Sequence, residues 1–485
     1  MHEFEVIVAP NYGPAAGTRV LAVFNGGFTP DCWNLPAHAW PKYPPTPSSL
    51  KWLVTTVISP EERPAADPPA AAATATARTA VPPSAAAAKG AGSTRPARLD
   101  SLTGLRWLAA LGVFLNHTAT LLPVPHTREV FLLGSSGVTF FFVLSGFVLT
   151  WTRTSDDGPA AFYARRLGRI WPLLIIGAIV PLILMKPDAF PGQDDVMVGA
   201  AGAAILFYQA WVPKDILGGA SPVTWSLSCE AFFYALFPFL AGFTLRRSLR
   251  WLAVAAVVLV AVGWGIRIWM WQEYPPPAHP NFNANMNTLT FWVYSPIARV
   301  WEFLLGVVAA AAVRAGWRPR IPPVLATALL AVGLFVLWEL RDQKFRVAVP
   351  YDALSQVTAP LYALLVVSLA VRQLDGGRRS WLSTRPMVML GEWSFAFYLI
   401  HFTVLFEIAK HVTHRNNILK FYMQPVTPAS GNLGWVLLGL GIAVVVATLL
   451  FMVVERPIER YVRHKVSPQR GRLATDVPIR AGAVR

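Results

Sequence analysis

Arg106 and His117 lie eleven residues apart inside an otherwise apolar stretch, LRWLAALGVFLNH. Eleven residues are close to three helical turns, so on a helix both side chains face one way, about 16 Å apart along the axis. An imidazole titrates near neutral pH, which suits it to general-base chemistry. Downstream, RRLGRIWP carries Arg165, Arg166 and Arg169. A guanidinium donates two parallel hydrogen bonds, a geometry matched to phosphate. Within TWSLSCEAFFYALFP, Ser226, Glu230 and Tyr234 recur every four residues and share one helical face. Arg299 and Glu302 are three apart, and Ser394, Tyr398 and His401 form another stripe in GEWSFAFYLIH.

Each of these residues also has a structural reading. Arg106 could be an anchor whose stem snorkels to the interface, and either histidine could simply be hydrogen-bonded in a core. The arginines of 165–169 could flank a span without binding a ligand. Glu230 could pair with an arginine for structure, and Arg299 with Glu302 could neutralise each other.

The elements that must position these groups follow from composition. The chain has 485 residues, 54% of them hydrophobic, with a mean hydropathy of +0.45 and only 14% charged. An ordinary soluble domain carries roughly 25% charge. So few charges cannot cover a water-facing surface, which excludes a plain soluble enzyme and predicts an all-α polytopic membrane bundle with the lipid bilayer as partner. The net charge of +16 sits in short arginine clusters between apolar runs. That is the pattern of cytoplasmic loops, so no nucleic acid partner is expected. Cys32 and Cys229 are too few for a disulfide framework or a zinc site, and no metal is expected.

Residues 1–98 read as a low-complexity, disordered cytoplasmic extension. Glu61 to Arg98 is rich in Ala, Pro and Thr, with almost no large apolar residues. The stretch before it holds Trp33, Trp40 and Trp52 among prolines and lacks the pattern of a signal peptide. It suggests no particular fold, and the extension reads as dispensable or as the product of a misplaced start codon. Residues 99–460 form the membrane domain, and 461–485 a basic cytoplasmic tail.

Eleven apolar stretches recur, at about 105–122, 134–151, 170–185, 196–211, 223–243, 251–271, 291–313, 324–340, 354–371, 388–408 and 433–454. If all eleven cross, the flanks on the inside hold 15 Lys and Arg against 17 outside, which is no bias. If the short fourth stretch dips in and returns, ten helices cross and the count becomes 22 inside against 10 outside. The positive-inside rule favours ten crossings plus one re-entrant or partial helix, with both termini cytoplasmic. That arrangement sets His117, Glu230, Arg299, Glu302 and His401 in one layer about 10–16 Å below the outer face. Intramembrane charge is costly, at roughly 2.5–3.5 kcal/mol per group or more, so a shared layer predicts a pocket.

Seven strings stand in order between Leu99 and Glu459: LDSLTGLRWLAALGVFLNH, FFFVLSGF, RRLGRIWP, WSLSCEAFFYALFP, SPIARVWEFLLG, GEWSFAFYLIH and VERPIE. Together they resemble the landmarks of the acyltransferase family 3 membrane proteins, whose core also has ten helices. The resemblance implies transfer of an acyl group, often acetyl, from cytoplasmic acyl-CoA, with acetyl-CoA the first expectation. The acceptor would be a hydroxyl of a glycan or of a small molecule such as a macrolide. It also implies that Arg106, Arg165, Arg166 and Arg169 hold the CoA phosphates. Chemistry and position make His117 the candidate base and Glu230 the group that orients its imidazole, and Ser226, Tyr234, Arg299, Glu302, Ser394, Tyr398 and His401 are expected to face the substrate. The chain departs from the pattern at Cys229–Glu230–Ala231, where many members have Val followed by two Glu, and no hydrolase-like domain follows Glu459. A transporter or flippase would explain buried charge equally well, but it predicts internal repeats that the sequence lacks.

Overall fold

The computed structural model describes residues 5–8, 20–23, 98–154, 158–185, 194–212, 221–273, 291–342, 353–377, 379–415, 421 and 426–466. The chain divides into two units, Met1–Ser84 and Ala85–Arg485. In the first, β1 (Glu5–Val8) pairs antiparallel with β2 (Val20–Val23), Glu5 opposite Val23 and Val8 opposite Val20. EVIV and VLAV are short runs rich in β-branched residues, which suit a pleated ribbon. This ribbon lies within residues 1–98, the segment for which no particular fold was expected. The Ala/Pro-rich run as far as residue 97 and the tail beyond Val466 lie outside the described residues.

The second unit is a helical bundle. Its helices are α1 (Asp100–Leu121), the short α2 (Arg128–Leu132), α3 (Ser136–Thr152), α4 (Pro159–Met185), α5 (Asp194–Ile205), α6 (Trp225–Thr244), α7 (Leu249–Glu273) and α8 (Pro296–Arg314). Then come α9 (Pro323–Asp342), α10 (Leu354–Leu374), α11 (Arg385–Thr413), α12 (Asn432–Leu450) and α13 (Arg456–Val466). Punctuation in the sequence fixes several ends. Ser295 caps α8, its hydroxyl accepting from the Ala298 N–H at 3.4 Å with Pro296 following, and α11 stops where His414 turns left-handed at φ 55°.

Among the described residues, eight helical segments are long and apolar enough to cross a membrane. Two further long helices complete a set of ten: α1, whose apolarity is diluted by Arg106, Asn116 and His117, and α9, whose apolar part is Pro323–Glu339. The 12 residues of α5 reach only about 18 Å, short of a core of about 30 Å. Its end meets the middle of α4, where the Trp171 indole N–H donates to the Ile205 carbonyl at 3.1 Å. Phe207 then turns left-handed at φ 61°, and its carbonyl accepts from the Ser228 hydroxyl, one turn into α6. Gln209 is buried and its amide donates to the Thr224 carbonyl at 2.6 Å. These contacts hold the end of α5 between α4 and the start of α6, as expected of a partial helix at 196–211.

Small residues set the closest packing. A Cβ on Gly306 of α8 would collide with the Val143 carbonyl of α3, and one on Gly146 of α3 with the Phe303 carbonyl of α8. The two backbones touch reciprocally, as helices do when association relies on close packing rather than on water. Aromatic rings fill the layer beside this crossing, with Phe233 stacked on Phe303 at 4.9 Å. Along the middles of α7, α9 and α12 large apolar side chains are exposed, among them Val257, Val332 and Val445, as a lipid-facing surface requires.

Candidate active site

A cavity opens among α1, α3, α4, α6 and α11. Its polar lining is Arg106, Ser145, Arg166, Arg169, Ser226, Glu230, Tyr234, Ser394 and Tyr398. Helical periodicity selects the members from α4. Phe162, Arg166, Arg169 and Ile170 share one face, with Arg166, Arg169 and Ile170 on the cavity wall, of which Arg165 is not a part. Of the three arginines of RRLGRIWP expected to act together, two, Arg166 and Arg169, line this cavity.

The cationic end of the cavity is built from pairs. The Tyr234 hydroxyl donates to Glu230 Oε1 at 2.5 Å, and the Ser145 hydroxyl donates to the same oxygen at 3.3 Å. The Arg166 guanidinium lies 5.7 Å from the Phe162 ring centre and 6.0 Å from that of Tyr234. Arg169 Nε stands 4.0 Å from Glu455 Oε1, a carboxylate only 2% exposed. Glu455 ends a π-helical turn, Phe451–Glu455, and such turns re-aim side chains, often at functional sites. Arg166 Nε and Glu455 Oε2 are buried and make no hydrogen bond among the described residues. Three guanidinium groups against two carboxylates leave this end net positive, suited to a phosphate-bearing ligand.

At the other end the Tyr398 hydroxyl lies 2.8 Å from Ser226 Oγ and donates to the Val223 carbonyl at 3.1 Å. The Ser394 hydroxyl donates to the Gly391 carbonyl of its own helix at 2.8 Å. One turn beyond Tyr398 is His401, fully buried, with ring centres 5.9 Å apart. His401 Nε2 is 3.1 Å from His117 Nδ1, joining α11 to α1. His117 keeps partial exposure. Neither imidazole lines the cavity itself.

Two further expectations meet a different set of contacts. Glu230 was expected to orient His117. Its bonds run instead to Tyr234 and Ser145 beside the arginines, and the group bonded to His117 is His401. Arg299 and Glu302 were expected on the substrate. They form an ion pair at 3.1 Å, with side chains 12% and 0% exposed, outside the cavity wall. Arg299 also donates to Thr139 Oγ1 at 3.1 Å and lies 5.5 Å from the Phe142 ring centre, tying α8 to α3. Ser145 on the cavity wall and Glu455 beside Arg169 carry no signal in spacing. Their only trace in the sequence is membership of FFFVLSGF and VERPIE.

Comparison with known proteins adds to this geometry. A family model described as an acyltransferase domain matches residues 99–452. Acyltransferase MdmB of Streptomyces mycarofaciens is 35% identical over 386 residues, covering 76% of this chain and 93% of that protein. The exopolysaccharide production protein ExoZ of Rhizobium meliloti is 27% identical, covering 69% of this chain and 92% of its own. The peptidoglycan O-acetyltransferase OatA of Listeria monocytogenes is 26% identical over 238 residues, 44% of this chain and 36% of that protein. No solved structure matches this chain.

Proposed function

The chain belongs to acyltransferase family 3, as a membrane enzyme transferring groups other than amino-acyl groups, and we propose that it moves an acyl group, acetyl first, from cytoplasmic acyl-CoA to a hydroxyl of a glycan or other carbohydrate-containing acceptor. The observation that carries this reading is the cavity with two chemically distinct ends. Arg106, Arg166 and Arg169 gather at one end, and Tyr398 at the other stands a turn from the His117–His401 couple. Arg106 and His117, eleven residues apart on α1, are separated by about 16 Å, a span that an extended pantetheine arm bridges. The phosphates bind the guanidinium groups, and the thioester reaches the imidazole layer.

The reaction balances through His117. The acceptor O–H gives its proton to His117 Nε2 while its oxygen bonds to the thioester carbonyl carbon. The C–S bond then breaks, and the CoA thiolate recovers the proton from His117. Glu230 holds Tyr234 against Arg166 rather than serving the base. The glycan acceptor is supported by relatives named for exopolysaccharide production and for peptidoglycan O-acetylation.

Incubating the purified chain with labelled acetyl-CoA and candidate carbohydrate acceptors tests this reading. Acceptor-dependent release of CoA with label on the acceptor is expected. No turnover of any acyl-CoA, alongside unchanged O-acylation of surface glycans in cells lacking the gene, would contradict it.

A further inference from the structure

The hydrogen bonds of the histidine couple have one consistent protonation pattern for neutral rings. Carbonyl oxygens only accept. His401 Nδ1 faces the Tyr398 carbonyl at 2.7 Å and the Phe397 carbonyl at 3.2 Å, so Nδ1 carries its proton and donates it there. Its Nε2 is then a bare lone pair. That lone pair stands 3.1 Å from His117 Nδ1, which itself faces the Val113 carbonyl at 2.9 Å and is therefore protonated as well. His117 Nδ1–H is shared between Val113 and His401, and the lone pair of His117 falls on Nε2. The opposite tautomers would set bare nitrogens against carbonyl oxygens on both rings.

Packing fixes the planes of the two rings. The Phe397 ring is stacked on His401 at 5.7 Å and 14°, and Phe402 meets His117 edge-on at 5.1 Å and 85°. The couple needs α1 and α11 to run close together. Gly391 of α11 provides this approach, because a Cβ there would collide with the Thr103 carbonyl of α1.

We propose that His401 is a positioning residue for the acyl transfer: by accepting the Nδ1–H of His117 it holds that imidazole in the tautomer and plane that present Nε2 to the acceptor hydroxyl. A neutral imidazole takes the place that a carboxylate holds in many base-orienter pairs. The inference rests on His117 being the base. Its own content is that His401 acts as a hydrogen-bond acceptor rather than as packing or as a contact to substrate.

The test compares His401→Leu, which keeps bulk without an acceptor, with His401→Gln, whose side-chain carbonyl can accept. Turnover, KM for acetyl-CoA and KM for the acceptor are measured on the full chain in nanodiscs. His401→Leu should lower kcat about 10²-fold with both KM values within about threefold, as misorientation of a reacting group does. His401→Gln should recover kcat to within about tenfold of the wild type. Equal kcat in the two folded variants, whether high or low, overturns the proposal, and so does a change confined to acceptor KM. Inactive His117→Ala beside fully active His401→Leu would sink this inference alone. Active His117→Ala would sink the base reading beneath it. Should His401→Leu fail to fold, ¹⁵N-histidine NMR of the wild type decides. Protonated Nδ1 on both rings is expected, with His117→Ala and His401→Gln spectra as assignments, and a protonated Nε2 with bare Nδ1 on His117 overturns it.

Discussion

Arg169 Nε stands 4.0 Å from Glu455 Oε1, so the π-helical turn that follows α12 supplies the counter-charge for an arginine on α4. Removing either partner alone strands the other in a mostly buried setting, which costs more than removing both. The expected outcome is a positive coupling in a double-mutant cycle of Arg169→Ala and Glu455→Gln, on the order of 1 kcal/mol. Reversible unfolding in mixed micelles measures it. Additive single effects would show that the two side chains do not interact.

The close contacts of Gly306 with the Val143 carbonyl and of Gly146 with the Phe303 carbonyl predict a steric penalty. Gly306→Ala drives a Cβ into the Val143 carbonyl, and the backbones of α3 and α8 must part. A loss of about 1–3 kcal/mol is expected, as for other overpacked sites. Gly242→Ala, where a Cβ meets nothing within 4 Å, is the control and should leave the melting temperature in detergent unchanged. Equal melting temperatures for the two variants would contradict the close crossing.

Arg166 lines the cavity and Arg165 does not, so neighbouring arginines should behave differently. Arg166→Ala is expected to weaken acyl-CoA binding by about 10–100-fold with a smaller change in kcat, because a phosphate contact is made in ground state and transition state alike. Arg165→Ala should alter the affinity by less than about threefold. Isothermal titration with a non-hydrolysable acyl-CoA analogue measures both. Loss of affinity in Arg165→Ala with none in Arg166→Ala would reverse the assignment.

The ten helices were legible because length and charge bias are properties of single segments. The re-entrant α5 was legible for the same reason: counting it as a crossing erased the bias. The site was legible only as a layer. Periodicity tells which residues share a face of one helix, so Ser226, Glu230 and Tyr234 emerged together, whereas the arginines of α4 stand in the sequence as one cluster of three and only the cavity wall separates Arg166 and Arg169 from Arg165. Periodicity says nothing about which helix lies opposite. Glu230 and His401 had equal standing as partners of His117 by depth, and only the close approach of α1 and α11 at Gly391 selects His401. Arg299 and Glu302 sit at a similar expected depth yet close on each other instead of on the cavity. Glu455 was hidden because a π-helical turn breaks the periodicity from which its face would have been read.

The alternation of helices puts the ends of α3, α6, α8 and α10 and the starts of α1, α4, α7, α9 and α11 on one face. That face carries the arginine clusters at 153, 246–250, 314–320 and 372–385. It should be cytoplasmic. Reporter fusions after Arg250 and after Val466 should both report an internal location. An external signal at either position would invert the bundle and remove cytoplasmic acyl-CoA from the arginine end of the cavity.

His117 is proposed as the base that takes the acceptor's proton. Single-turnover transfer from labelled acetyl-CoA, measured for the wild type and for folded His117→Ala at saturating donor, tests it most directly. The rate in His117→Ala should fall about 10²–10⁴-fold while the dissociation constant for acetyl-CoA stays within about threefold. A wild-type transfer rate in His117→Ala would contradict the account.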